Sequence, residues 1–216
     1  MVEMNVTSDI MLEINKKLNH FLSDERRIEF LESLLKKQLD KETKKAICLK
    51  ISELYERKNL VNSSLQYLIQ AEILTDKWAE KLPLLMRIAK IFVKLFDFMK
   101  AEEYFKQAIE IAPLGEVDAL RQEYINYYIQ EAQAYEEKGR PRKAIKFYEF
   151  LANKGIRRHE MFLKIADLYD IAAMPLEAGR LRRQAQLELE AEREKSLKTI
   201  EKQREEEKRA DRLLSD

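Results

Sequence analysis

The sequence predicts an all-α protein made of antiparallel helix pairs, and three observations lead to this prediction. The chain has 216 residues but only four glycines and four prolines, so few positions break a helix. Apolar residues recur at helical spacing along most of the chain. One arrangement of small and large apolar residues also returns four times, and each copy spans two amphipathic helices joined by a tight turn.

The repeated arrangement is clearest in the copy formed by Leu85, Ile88, Ala89, Phe92, Ala101, Phe105, Ala108 and Pro113. A copy with the same internal spacing consists of Cys48, Ile51, Ser52, Tyr55, Ser64, Leu68, Ala71 and Asp76. The third contains Tyr128, Ala132, Tyr135, Gly139, Ala144, Tyr148 and Leu151, and the fourth contains Phe162, Ile165, Ala166, Tyr169, Ala178 and Ala185. Small residues in such a pattern mark close helix crossings, because two helices approach closely only where one side of the contact is small.

This pattern resembles the tetratricopeptide repeat, a unit of about 34 residues. The resemblance covers about residues 45–189 and implies a right-handed α-α superhelix whose groove accepts a partner. The array is irregular, because the small crossing residues are separated by 37, 43 and 34 positions. Those crossing residues are Ser64, Ala101, Ala144 and Ala178. Arg182 replaces a usual aromatic, as expected at the open end of an array.

Residues 1–44 are expected to form N-terminal capping helices, since they lack the small residues of the repeat. The first of these helices is predicted from Thr7 to Leu22. Ser23 is predicted to cap the second helix, because a serine side chain can accept a hydrogen bond from the first-turn amides. Such a pair would cover the apolar end of the repeat array.

Residues 45–189 are expected to hold the four repeats. The first helix is predicted to begin near Lys45 and to end at Asn59 in a left-handed conformation. Pro83 is predicted in the first turn of the next repeat's first helix, where a missing N–H does no harm. Gly139 is predicted to end a long helix over 118–138, and Pro175 to begin the last helix.

Residues 190–216 are expected to form a charged C-terminal helical extension, rich in Glu, Lys and Arg. The favoured interpretation is a projecting helix supported by acid–base pairs one turn apart, such as Glu194 with Lys198. A helix that pairs with another chain and a disordered tail are the alternatives. A coiled-coil seam could begin at Leu197, Ile200 and Leu214. It would be interrupted by Arg204, Glu207 and Asp211.

The composition limits the partners and the compartment. The formal net charge is +1, so no overall charge attracts nucleic acid or membranes. Cys48 is the single cysteine, which excludes an internal disulfide and favours a reducing compartment. The start of the chain lacks the pattern of a signal peptide, and no apolar run reaches the roughly 20 residues of a membrane span. We therefore expect a soluble, cytoplasmic protein.

No residues form a recognisable catalytic constellation. His20 and His159 are the only histidines, and neither has a carboxylate or a cysteine at metal-ligand spacing. There is no glycine-rich phosphate loop and no nucleophile-elbow motif. Cys48 is best interpreted as a small buried apolar residue. We therefore expect a non-catalytic protein without a cofactor or a metal.

The resemblance to tetratricopeptide repeats places a partner-binding groove on the first helix of each repeat. Its residues would be Leu49, Glu53, Met86, Lys90, Lys94, Asn126, Gln130, Gln133, Leu163 and Asp167. This mixed polar, apolar and basic set suits a peptide or a helix of a partner protein. Leu49 and Glu53 stand where some relatives have the Lys and Asn that grip a terminal carboxylate, so the sequence disfavours that mode. The leading hypothesis is a protein-interaction scaffold.

A basic edge supports the alternative of a nucleic-acid-associated adaptor. Clusters of Lys and Arg lie at 138–146, 157–158 and 180–183, and two of them are expected on one edge of a solenoid. The residues proposed for this edge are Lys138, Arg140, Arg142, Lys143, Arg180, Arg182 and Arg183. Ordinary solvated loops and lysines at helix C-termini are the simpler explanation of these charges. Self-association through the array end or through the C-terminal helix also stays open.

Overall fold

A computed structural model describes residues 3–213, with side chains described at 9–204 and 206. This part of the chain contains ten α-helices and one short 3₁₀ turn and has no β-strand, which confirms the all-α prediction. The chain divides into two compact units, Met1–Tyr124 and Ile125–Asp216, and each is described by itself. Leu214 of the possible coiled-coil seam, and the side chains of Glu207 and Asp211, lie outside the described residues.

The first unit contains α1 (Glu3–Asn19), α2 (Asp24–Leu35), α3 (Lys41–Arg57), α4 (Val61–Ile73), α5 (Trp78–Lys94) and α6 (Phe98–Ile111). A 3₁₀ turn follows at Leu114–Glu116, and α7 (Val117–Glu137) begins in the first unit and ends in the second. The second unit continues with α8 (Pro141–Asn153), α9 (Arg158–Ile171) and α10 (Pro175–Leu213). Short turns join α3 to α4, α5 to α6 and α9 to α10, and the two helices of each pair pack against each other. Three of the four predicted helix pairs are therefore present, and in the remaining pair, α7 and α8, the rings of Tyr128 and Phe150 stack on each other.

The helices α1 and α2 both pack on α3. Ser23 is the N-cap of α2, as predicted, and its hydroxyl accepts from the backbone N–H of Arg26. The first helix lies earlier than expected, at Glu3–Asn19. The buried core of this region consists of Ile14, Leu18, Ile28, Leu31, Ile47, Ile51 and Leu54. The division of the chain at residues 44 and 190 stays a prediction.

The first helix of each of the four repeats ends in the same way. The second residue after each of α3, α5, α7 and α9 has a positive φ, and these residues are Asn59, Phe96, Gly139 and Ala173. In each of these turns, the residue after the one with positive φ donates its backbone N–H to the carbonyl oxygen five residues earlier. The distances are 2.9–3.0 Å, as from Leu60 to Tyr55. This is the Schellman arrangement, which satisfies carbonyls at a helix end. The left-handed conformation predicted at Asn59 is confirmed, and its fourfold recurrence is a second sign of the repeat.

Within the repeats, two predictions about helix starts are wrong. Pro83 lies inside α5 instead of in its first turn, because α5 already begins at Trp78. The proline lacks the N–H that would bond to Ala79, so this turn of α5 has one backbone hydrogen bond fewer. The helix α3 begins at Lys41, four residues before the predicted start, because Asp40 caps it.

The Asp40 cap leads to a prediction about stability and pH. Its carboxylate accepts hydrogen bonds from the backbone N–H and the hydroxyl of Thr43, and these bonds lower the pKa of Asp40 below its ordinary value of 3.8. Asp40→Ala should therefore lower the free energy of unfolding by about 1 kcal/mol at neutral pH. Asp40→Asn, which keeps a side-chain acceptor, should cost less. Because the folded-state pKa is depressed, the cap's contribution is present above pH 4 and is lost as pH falls through that lowered pKa. Urea denaturation of the three proteins between pH 3 and pH 7 checks both effects, and an equal cost for both variants would contradict the role of the cap.

Small residues occupy the helix crossings as predicted. Ala101, Ala144 and Ala178 are fully buried on the second helix of their pairs. The pair α3–α4 differs, because Ser52 and Ser64 are both fully buried and their hydroxyl oxygens lie 2.9 Å apart. The first repeat therefore has a hydrogen-bonded polar crossing where the others have alanine.

The helix α10 extends well beyond its partner α9. Its last described contacts with α9 are Glu188 to Arg158, at 2.7 Å, and Glu192 to His159, at 3.0 Å. Every described side chain after Glu192 is exposed. The long charged C-terminal helix predicted from the sequence is therefore present, and pairing with another chain stays a hypothesis.

Candidate functional site

A cleft of about 350 Å³ in the first unit lies between α5 and the beginning of α7. We call it the α5–α7 cleft, and it is lined by Leu82, Pro83, Met86, Arg87, Lys90, Leu120 and Glu123. The side chains of Leu82 and Met86 are buried, and Leu120 is half-buried, so the lining is mainly apolar. The cleft can therefore accept an apolar group between two helices.

Ion pairs hold the charged side chains around this cleft. The Nζ of Lys90 lies 2.6 Å from Oε1 of Glu123, so the pair joins α5 to α7. A guanidinium nitrogen of Arg87 lies 2.6 Å from Oε2 of Glu56, and this pair joins α5 to α3. Both pairs are partly exposed, so each contributes little to stability but fixes the position of its charges. The rim of the cleft thus presents ordered acidic and basic groups beside an apolar lining.

The groove predicted from the sequence is distributed over both units. Leu49, Glu53, Met86, Lys90 and Lys94 belong to the first unit, and Asn126, Gln130, Gln133, Leu163 and Asp167 belong to the second. Met86 and Lys90 line the α5–α7 cleft, whereas Leu49, Glu53 and Lys94 do not. That all ten residues form one groove stays a prediction.

Sequence reasoning missed several residues of the cleft, above all Leu120 and Glu123. They lie in the first two turns of α7, before the first residue of the third repeated pattern. One signal could have found Glu123. The oppositely charged pairs Glu56–Arg87 and Lys90–Glu123 are 31 and 33 residues apart, which is about one repeat.

Part of the basic edge surrounds the turn between α7 and α8. A cleft of about 350 Å³ here is lined by Gly139, Arg140, Pro141, Arg142, Lys143 and Ala172. The ammonium groups of Lys138 and Lys143 lie 5.6 and 5.4 Å from the centre of the Tyr135 ring. Arg140 and Arg142 make no ion pair with a side chain that the structure describes. This arrangement can attract an anionic group, and the nucleic-acid interpretation stays a prediction.

The remaining basic residues lie elsewhere in the second unit. Arg180 lines a different cleft, of about 420 Å³, which is formed by residues of α8, α9 and α10. In the same cleft, burial raises the pKa of Glu149, and Lys146 opposes the shift. Arg182 donates to Asp167, at 3.0 Å, and to Asp170. The structure thus joins Arg182 of the predicted basic edge to Asp167 of the predicted groove. Arg183 is exposed and lines neither cleft.

The cysteine and the histidines occupy ordinary structural positions. Cys48 is buried in α3, where burial raises the pKa of its thiol to about 11. Nδ1 of His159 lies 3.0 Å from a carboxylate oxygen of Glu192, and His20 follows the end of α1. Among the side chains described within residues 3–213, no three of His, Cys, Asp and Glu come together as metal ligands. No helix in that range has both the length and the apolar character required to cross a membrane.

Comparison with known proteins identifies the repeat. The tetratricopeptide-repeat family model matches residues 82–113 and 125–149. The first segment covers most of α5 and all of α6, and the second covers parts of α7 and α8. No curated protein matches the sequence.

Several solved structures resemble the chain at low sequence identity. A crystal structure of MamA protein is 20% identical, covers 88% of this chain and 94% of its own, and has a TM-score of 0.41. BtubC from P. vanneervenii is 16% identical over 79% of this chain and 74% of its own, with a TM-score of 0.36. A putative kinesin light chain from Podosopora anserina with nearly identical TPR-like repeats is 16% identical over 86% and 94%, with a TM-score of 0.37. The two matched segments and the helix pairs that contain them are similar to tetratricopeptide repeats.

Proposed function

We propose that this chain is a non-catalytic protein-interaction scaffold that binds a peptide or a helix of a partner protein. In this proposal, residues 1–44 cap the array, residues 45–189 carry the binding repeats, and residues 190–216 form an extension. The observation that carries the proposal is the α5–α7 cleft. Apolar side chains line it between two helices, and the ion pair of Lys90 and Glu123 lies beside them.

The dimensions and the chemistry of the cleft favour a peptide side chain as its occupant. A volume of about 350 Å³ is at the lower end of the range for small-molecule pockets, so a large cofactor would not be enclosed. An apolar side chain could displace water from Leu82, Met86 and Leu120. The ion pair between Lys90 and Glu123 would then lie beside the backbone or the polar groups of the peptide. An apolar anchor with polar contacts around it is the usual arrangement of a peptide site.

A single substitution in the cleft tests this function. Leu120→Glu places a carboxylate in the apolar lining, so an occupant would have to bury a charge or leave the cleft. We expect proteins that depend on the cleft to co-purify at least about tenfold less with this variant, which corresponds to about 1.4 kcal/mol. The measurement is quantitative mass spectrometry of the proteins captured by the tagged chain in cells of its source.

The neighbouring residue provides a matched control. Ala119 is exposed on the same turn of α7 but does not line the cleft, so Ala119→Glu adds the same charge outside the site. We expect Ala119→Glu to capture the same proteins as the unaltered chain. If Leu120→Glu also captures them undiminished while it remains folded by circular dichroism, the α5–α7 cleft is not the binding site.

A further inference from the structure

The part of α10 beyond Glu192 has one face that differs from the rest of its surface. Leu197 and Ile200 are the large apolar residues of this segment whose side chains the structure describes, and their exposed fractions are 59% and 45%. Arg193 precedes Leu197 by four residues, and Arg204 follows Ile200 by four. Successive spacings of four, three and four residues place all four side chains on one side of a helix.

Nothing within the described part of the chain covers this face. The contacts of α10 with α9 end at Glu192, and all four side chains are exposed. Arg193 and Arg204 form no ion pair with a side chain that the structure describes. Two cations therefore border an apolar centre on a helix that continues past the folded body.

We propose that this face docks an acidic amphipathic helix of a partner protein, with apolar residues against Leu197 and Ile200 and carboxylates against Arg193 and Arg204. A helix of this kind would cover the apolar centre and pair both guanidinium groups at once. This surface is separate from the α5–α7 cleft, so the two sites could hold different partners.

The charges disfavour a second copy of this chain as the occupant. An antiparallel copy centred on Leu197 and Ile200 would place Arg193 opposite Arg204. A parallel copy would place each arginine opposite its own counterpart. Both arrangements bring like charges together and are therefore unfavourable.

The charges also disfavour nucleic acid. Glu190, Glu194 and Glu201 follow one edge of the face at helical spacing. These carboxylates would repel a phosphate backbone that approached the two arginines. A helix that presents only a few carboxylates can meet the arginines and keep clear of that acidic edge.

A peptide with complementary charge tests the proposal on the full chain. The probe is a labelled synthetic peptide with the sequence of residues 188–208 and the changes Arg193→Glu and Arg204→Glu. In either orientation it presents apolar residues to Leu197 and Ile200 and carboxylates to the arginines. Fluorescence anisotropy at protein concentrations up to millimolar should detect binding, and the peptide without the two changes should bind at least about tenfold more weakly.

Three variants of the full chain show which face is used. Arg193→Glu/Arg204→Glu and Leu197→Ser/Ile200→Ser should each weaken binding of the acidic peptide by at least about tenfold. Lys195→Glu/Lys202→Glu makes the same change in net charge on the opposite face of the helix and should change the affinity less than about twofold. All the substituted side chains are exposed, so each variant should retain the helix content of the unaltered chain.

Three outcomes would overturn the proposal. Equal binding of the acidic peptide by all the variants would show that this face does not bind it. Equal binding of the peptide without its two changes would identify a second copy as the occupant. Displacement of the acidic peptide by a short RNA or DNA oligonucleotide at a comparable concentration would identify nucleic acid instead.

Discussion

Tyr128→Ala is expected to lower the free energy of unfolding by about 3–5 kcal/mol, the usual cost of deleting a buried aromatic side chain. Tyr128 is fully buried in α7. Its ring stacks on Phe150 with centroids 4.8 Å apart and meets the edge of Phe147 at 6.3 Å. Loss of the ring would leave a cavity between α7 and α8 and remove both aromatic contacts. Urea denaturation followed by circular dichroism measures the change.

Tyr128→Phe is the control for this variant. It keeps the ring and its packing and removes only the hydroxyl, so we expect a cost of at most about 1 kcal/mol. If alanine and phenylalanine had similar effects, the hydroxyl rather than the ring would be the source of stability. A loss below about 1 kcal/mol for Tyr128→Ala would show that the Tyr128 ring is not packed between α7 and α8.

Ala101→Leu should destabilise the chain by about 1–3 kcal/mol, because a larger side chain overpacks a close crossing. Ala101 is fully buried in α6, and α6 packs on α5, where Ala89 is also fully buried. The rings of Phe92 and Tyr104, one from each helix, stack with centroids 5.5 Å apart and limit how far the helices can separate. The extra atoms therefore have to be accommodated by strained rotamers or by a shift of the backbone. The thermal midpoint should fall accordingly.

Glu103→Leu is the matched control for this substitution. It introduces the same side chain in the same helix at an exposed position, so it measures the effect of a leucine away from the helix crossing. We expect its effect to stay within about 0.5 kcal/mol. Equal melting midpoints for the two variants would place Ala101 away from the crossing.

The helix pairs could be predicted from the sequence because their signals are local. A crossing needs a small residue, and a helix end needs a capping residue such as Ser23 or an αL residue such as Asn59. Both kinds of residue can be recognised from a few neighbouring positions in the sequence. Phe96 and Ala173 adopt the same left-handed conformation, but nothing in their side chains favours it, so only the repeat period could have indicated them.

The α5–α7 cleft could be predicted only in part because its residues come from separated helices. The pattern placed Met86 and Lys90 on the first helix of a repeat, and both line the cleft. Pro83 was expected at a helix start, and only the additional turn from Trp78 places it inside α5. The helix predicted over 118–138 already contained Leu120, but no local pattern indicated that its first turn lies beside α5.

Charge clusters were the hardest feature to interpret from the sequence. Arg180, Arg182 and Arg183 are adjacent in the chain, yet Arg182 pairs with α9 while Arg180 lines a cleft. Neighbouring residues on a helix point in directions about 100° apart, so a run of like charges need not form one patch. The carboxylates that pair with Arg182 lie 12 and 15 residues away, and only the packed structure brings them to it.

The paired hydroxyls of Ser52 and Ser64 have a consequence for how similar repeats find their own partners. If α3 associated with α6, the hydroxyl of Ser52 would face Ala101 and lose its hydrogen bond in a water-free contact. An unsatisfied buried hydroxyl costs about 1–3 kcal/mol, whereas two alanine crossings can be exchanged with no such penalty. The serine pair therefore favours the pairing of α3 with α4 over a pairing of α3 with α6. It disfavours an exchange of helices between neighbouring repeats.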